Sequence, residues 1–179
     1  LNFGKQNTMI ETERLIIKPL TYNQLEKYIL NDNSLEKELK LDKTSRSISP
    51  ELKDAFEQTI LPNVADTSKN YLYSTLWTLI SKNDNKMVGD VCFVGAPNDS
   101  GEIEIGYGIY DIFAGHGFMT EAVGGMISWA KSQPEIYSII ADTEKQNKAS
   151  FRVLEKNEFV KTGETETLIK WKLNLKPTE

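Results

Sequence analysis

Within Glu102–Ala130, EIEIGYGIYDIFAGHGFMTEAVGGMISWA, the apolar period changes halfway along. Ile103 and Ile105 alternate with Glu102 and Glu104, the spacing of a strand with one buried face. Beyond Gly115-His116-Gly117 the apolar residues Met119, Ala122, Val123, Met126, Ile127 and Ala130 recur on one helical face. Gln133-Pro134-Glu135 ends that helix, because proline disfavours its continuation. The apolar run Ile136–Asp142 then predicts a buried strand. Strand, helix and strand in this order predict a parallel βαβ unit, which places the two strands in one sheet with the helix across its face.

The rest of the chain adds strands and short helices around this unit. Arg14–Leu20 reads as a first strand. Thr21 caps the next helix with Gln24 as its capping-box partner, and Leu25 and Ile29 face inward. A short helix is expected within SLEKELKL. Ser49 caps another with Pro50 in its first turn, and Leu52, Ala55, Phe56 and Ile60 form its buried stripe. LPNVADTSKN is expected to be loop. LYSTLWTLI, MVGDVCFVG and EIEIGYGIY read as an antiparallel meander. Asn147 is expected to cap a helix over NKASFRVLEKN with Ala149, Val153 and Leu154 inward. A strand beginning at Phe159 and the alternating LIKWKLNL complete the chain. The pattern predicts an α/β (α+β) single domain over residues 9–176, with a mixed, mainly antiparallel sheet flanked by helices. Residues 1–8 are expected to form a tail outside it.

Composition narrows the chemistry. A net charge of -5 argues against general nucleic-acid binding. Cys92 and His116 are the sole residues of their kinds. No thiolate-cluster or histidine-built metal site is therefore expected. Val91-Cys92-Phe93 reads as buried strand, where a thiol is inert. No run reaches membrane-spanning length, and the start lacks the apolar region of a signal peptide; a cytoplasmic location is expected.

The helix after Gly117 begins without Ser, Thr, Asp or Asn in the capping position. Its first amides are left unpaired and directed at whatever lies beyond, which suits an anion. A P-loop is a poor fit, since Phe118 and Met119 stand where Lys and Ser/Thr are needed. The dinucleotide fingerprint also fails, with Thr120 following Gly115-x-Gly117 in place of its third glycine.

EIEIGYGIYDIFAGHGFMTEAV closely resembles the acyl-CoA-binding segment of the Gcn5-related N-acetyltransferases (GNAT), above all the branch of ribosomal-protein N-terminal acetyltransferases. NKASFRVLEKNEF resembles that branch's second signature. The resemblance implies a sheet whose fourth and fifth strands splay around acetyl-CoA. Amides of Gly115, His116, Gly117, Phe118, Met119 and Thr120 would face the pyrophosphate. A bulged strand would present the backbone of Tyr107, Gly108 and Ile109 to the pantetheine arm. Asn147 would cap its helix, contact the pantetheine, or do both. Ser150 is either a solvated first-turn serine or the group that protonates the leaving thiolate. Lys145, Lys148 and Arg152 form either a solvated face or a site for the adenosine phosphate.

The chain departs from the family pattern at several positions. Met119 replaces a small residue, and Ala114 replaces Arg, Gln or an aromatic. Glu155 stands where many relatives carry a tyrosine acid. Asn157-Glu158 must turn the chain without glycine, a geometry that Asn tolerates. Direct attack of an amine on the thioester needs a base. Glu104 is the first candidate and Glu102 the second, against the alternative of a solvated strand face. The expected activity is acetyl transfer from acetyl-CoA to a primary amine, either a small molecule or a protein or peptide N-terminus, by a monomer or homodimer. The alternative is an acyl-CoA-binding sensor without turnover.

Overall fold

The computed structural model describes residues 8–176, so the expected tail lies, apart from Thr8, outside the described residues. One eight-stranded sheet runs in the order β1-β2-β3-β4-β5-β6-β8-β7. β1 (Ile10–Glu11), β2 (Leu15–Pro19), β3 (Leu76–Ser81), β4 (Lys86–Phe93) and β5 (Glu102–Ile109) pair successively antiparallel. β5 and β6 (Ser138–Glu144) form the single parallel pair among the described residues, and β8 (Leu168–Asn174) joins β6 to β7 (Val160–Glu164). The meander and the βαβ unit are as the patterning predicts.

Two apolar layers cover the sheet. On one face α5 (Phe118–Lys131) and α6 (Lys148–Lys156) bury Ala122, Val123, Met126, Phe151 and Leu154 against Ile17, Val91, Ile103, Ile105, Ile139 and Trp171. On the other, α1 (Tyr22–Leu30), α2 (Ser34–Leu39), α3 (Pro50–Ala55) and α4 (Leu61–Ala65) pack around Leu25, Tyr28, Leu35 and Phe56 over Leu76, Ile80 and Met87. Local chemistry starts these helices. Thr21 Oγ1 accepts from the Gln24 amide at 3.3 Å, while Gln24 Oε1 accepts from the Thr21 amide at 3.1 Å. Ser49 Oγ accepts from Leu52 N–H at 3.1 Å.

Four expectations need correction. Leu61–Ala65 is helix, not loop: Phe56–Ile60 widens into a π turn just before Pro62, and the chain then resumes as α4. That widening relieves the clash a proline ring makes with the preceding turn. Leu72 and Tyr73 do not begin a strand; they form a 3-10 turn because Asn70 Oδ1 takes the Leu72 amide at 3.2 Å. Tyr73 then packs edge-on against Trp129 and Phe93. In α6, Phe151 rather than Ala149 turns inward with Leu154.

The fourth concerns the turn after α6. Glu158 N–H donates to Glu155 O and Phe159 N–H to Leu154 O, a Schellman motif whose C′ position favours glycine. Glu158, not Asn157, takes the left-handed conformation, at φ 65° against -97° for Asn157. A non-glycine residue pays about 1 kcal/mol or more for that geometry. Glu158→Gly is therefore expected to raise unfolding stability by about 1 kcal/mol, read as a higher urea midpoint at unchanged slope. An equal or lower midpoint contradicts the strain.

Candidate active site

The glycine turn is built by two left-handed residues, Gly115 at φ 79° and Gly117 at φ 78°. Gly117 is the N-cap of α5 and supplies no side-chain acceptor. The first bond along the helix is Glu121 N–H to Gly117 O at 3.2 Å. The amides of Phe118, Met119 and Thr120 thus have no acceptor within the helix. The His116 ring stays within the turn, its Nδ1 3.1 Å from Phe113 O.

The connection between β1 and β2 braces this turn. Arg14 Nη1 donates to His116 O at 2.9 Å, and its guanidinium lies 4.7 Å from the Phe118 ring centre. Arg14 Nε also holds Glu121 at 2.7 Å, and Thr12 Oγ1 donates to the same carboxylate at 2.6 Å. Burial alone would push the Glu121 carboxyl up, but the hydrogen bonds from Thr12 and Arg14 hold it below its ordinary value. The acidic residue in the first turn of α5 is thereby charge-paired where it stands.

The sheet opens beside this turn. β5 pairs with β6 only from Glu102–Ser138 to Glu104–Ile140, after which β6 follows β8 and β5 follows β4. Val94 N–H bonds Glu104 O, and Tyr110 N–H bonds Val88 O. Antiparallel alternation therefore turns the backbone of Gly106 and Gly108 toward β4, and that of Tyr107 and Ile109 toward the opening. The bulge expected in β5 is absent. Its register on β4 is continuous from Ile105 to Ile109, and the register shifts lie elsewhere, in β3 against β4 at Leu79/Ile80 and in β7 against β8 at Lys161/Gly163. The splay alone suffices to free the edge.

Across the opening, the Tyr107 hydroxyl reaches the Ser150 carbonyl at 3.4 Å, and burial pushes this phenol up to about 12. Asn147 Oδ1 accepts from the Ser150 amide at 3.0 Å, so its capping role holds. Asn157 joins the two helices, donating to Thr120 O at 3.1 Å and Val153 O at 2.9 Å. Of the basic residues near α6, Lys145 pairs with Glu164 at 3.5 Å, Lys148 lies 4.7 Å from the Phe151 ring, and Arg152 is exposed.

The two strand carboxylates have different surroundings. Glu102 accepts from Lys172 Nζ at 2.6 Å and from Asn98 Nδ2 at 3.3 Å, which holds its carboxyl low. Glu104 is partly buried and its carboxyl is raised, first by desolvation and then by Asp142.

A third carboxylate escaped the sequence reading. Asp90 Oδ2 receives hydrogen bonds from Tyr28 at 2.6 Å and Tyr110 at 2.9 Å, while Oδ1 is buried without a partner. Burial raises this carboxyl to about 6, against the hydrogen bonds of the two phenols. It lines a cavity of about 370 Å³ with Tyr28, Ser47, Leu52, Leu76, Cys92 and the β5 backbone from Gly106 to Tyr110. The Cys92 thiol is pushed up to about 11 by burial, away from nucleophilic use. Ser47 belongs to a strap held down by Arg46, which pairs with buried Glu36 and donates to Tyr28 O at 3.1 Å. An aspartate inside the otherwise apolar MVGDVCFVG was the available signal. A larger recess of about 810 Å³, near Lys18, Tyr22, Asp66 and Lys69, lies away from the splay.

Residues 14–160 match the acetyltransferase (GNAT) domain family, and the chain belongs to it. Acetyl-CoA-dependent acetyl transfer is the activity of that family. The uncapped amides of α5 and the free edge of β5 fit such a cosubstrate. The chain is also 26% identical over 155 residues to the uncharacterized N-acetyltransferase YjdG of Bacillus subtilis (strain 168), covering 85% of this chain and 89% of the relative. Its fold matches the ribosomal-protein-S5-alanine acetyltransferase of Vibrio fischeri with TM-score 0.67 at 21% identity, over 95% of this chain and 100% of that one. A GNAT acetyltransferase of Bacillus anthracis superposes with TM-score 0.65 at 18% identity, over 94% and 99%. Among the described residues no helix is long and apolar enough to cross a membrane, and no group of three or more His, Cys, Asp or Glu could hold a metal ion.

Arg14→Ala removes the brace under His116 and leaves Glu121 unneutralised beside the helix start. Acetyl-CoA is expected to bind about tenfold more weakly, the loss of one charge-assisted tie, as measured by calorimetry. An unchanged Kd would reduce Arg14 to a tie between strand and helix.

Proposed function

We propose that the chain transfers acetyl from acetyl-CoA to a primary amine by direct attack within a ternary complex. The observation that carries this reading is the free backbone edge of Tyr107 and Ile109 opening beside the uncapped start of α5. The amides of Gly115 to Thr120 hold the pyrophosphate, and the backbone of Tyr107 and Ile109, with Gly108 between them turned to β4, aligns the pantetheine arm with Asn147. Alignment of this kind supplies much of the acceleration when two bound reactants meet.

Glu104 accepts the proton of the attacking amine, directly or through water. Its raised carboxyl supports this choice over Glu102, which Lys172 and Asn98 occupy. Ser150, at the start of α6, returns a proton to the thiolate in place of the tyrosine that Glu155 displaces. Arg152 contributes charge for the adenosine phosphate. The acceptor is a small amine or a peptide N-terminus. The Vibrio fischeri structure and the branch signature support the peptide, while the cavity beside β5 supports the small amine.

Release of free CoA across a panel of primary amines tests the reading. Amine-dependent release is expected, and acetyl-CoA binding without turnover on any amine would mark a sensor instead. Glu104→Gln is expected to lower kcat about a hundredfold. A base works only when deprotonated, so wild-type kcat should hold above the Glu104 pKa and fall as pH drops through it. That midpoint should lie above the ordinary glutamate value of about 4.3. Retention of the acid limb in Glu104→Gln would remove this residue from the chemistry.

A further inference from the structure

We propose that the cavity beneath β4 and β5 takes a small aliphatic diamine, with Asp90 binding its far ammonium while the near amine is presented at the splay on the Glu104 side. The inference rests on the acetyltransferase reading and names the acceptor class for it.

Asp90 Oδ1 is a buried acceptor with no partner, and Oδ2 is already occupied by two phenol donors. A carboxylate left in that state costs free energy until a donor meets it. Thr78 faces Asp90 from β3 and its hydroxyl helps hold the carboxyl down, yet it falls short of hydrogen-bond geometry to Oδ1. Arg46 does not fill the role either, since its guanidinium bonds Glu36 and the Tyr28 carbonyl and lies 4.5 Å from the Tyr28 ring centre. Glu36 offsets its charge. An ammonium is the compact donor that suits the remaining oxygen.

The floor between the two carboxylates is bare. Asp90 pairs with Gly108, and Glu104 shares the Gly108 face of β5. Four residues of strand separate them, about 13 Å. Gly106 and Gly108 are the side-chain positions between. A Cβ on Gly108 would meet nothing within 4 Å, and one on Gly106 would come to 3.6 Å from Cys92 Sγ. Leu52 and Leu76 wall the cavity. An acidic group at one end of the cavity, apolar walls beyond it and Glu104 farther along the same face of β5 match a methylene chain carrying an amine at each end. A volume of about 370 Å³ suits a small molecule.

The test compares α,ω-diaminoalkanes of increasing length with monoamines of the same carbon chain, following CoA release by wild type and Asp90→Asn. Wild type is expected to favour the diamine in kcat/KM by at least about tenfold at the best length. Asp90→Asn should bring the diamine down to the monoamine, with thermal melting and acetyl-CoA affinity reporting whether the variant is folded. Equal use of mono- and diamines by wild type overturns the proposal without any variant. So does a folded Asp90→Asn that keeps the preference. Should no amine be acetylated, the acetyltransferase reading falls, and calorimetry of the best-fitting diamine on CoA-loaded protein decides separately. Binding abolished by Asp90→Asn supports the site, and no binding to wild type sinks it.

Discussion

The parting of β5 from β6 after three paired residues governs the rest of the molecule. Buried backbone groups need partners, and the edge at Tyr107 and Ile109 has lost those a sheet would provide. The surrounding elements arrange themselves around this edge. β8 takes over the far side of β6, β4 holds the near side of β5, and α5 and α6 bring their first turns to the opening. A molecule with amide groups along a flexible arm and an anionic end satisfies the strand edge and the helix start together. That is the physical reason the family's cosubstrate suits this fold.

Legibility in the sequence followed the range of the interactions. The βαβ unit, the Thr21–Gln24 box and the Asn147 cap rest on residues a few positions apart, and their patterns predicted them. Residues 61–65 were hidden because Pro62 reads as a stop unless the preceding turn widens. The left-handed Glu158 was half visible, since the missing glycine was plain but the residue taking the strain was not. Asp90 needed the whole fold. Its partners Tyr28 and Tyr110 stand 62 and 20 residues away, and no local pattern links them. The splay was legible only through resemblance, because nothing in Glu102–Ile109 states that its second neighbour leaves after Glu104.

The faces of the sheet divide the chemistry. α5 and α6 lie on one side with the amides that suit a phosphate-bearing ligand. The cavity of Asp90, Tyr28 and Tyr110 lies on the other, under α1, α3 and the Arg46 strap. The β5 residues from Gly106 to Ile109 beside the opening also line that cavity. Two ligands can thus approach one strand from opposite sides without competing for space.

The side chain of Asn157 binds a carbonyl of each helix, one in the first turn of α5 and one within α6. One side chain therefore ties the first turn of α5 to the C-terminal half of α6. A ligand spanning both helices meets a jaw already set to its width, and little of its binding free energy goes into arresting motion. Through one amide, the spacing of α5 and α6 is set by the scaffold itself.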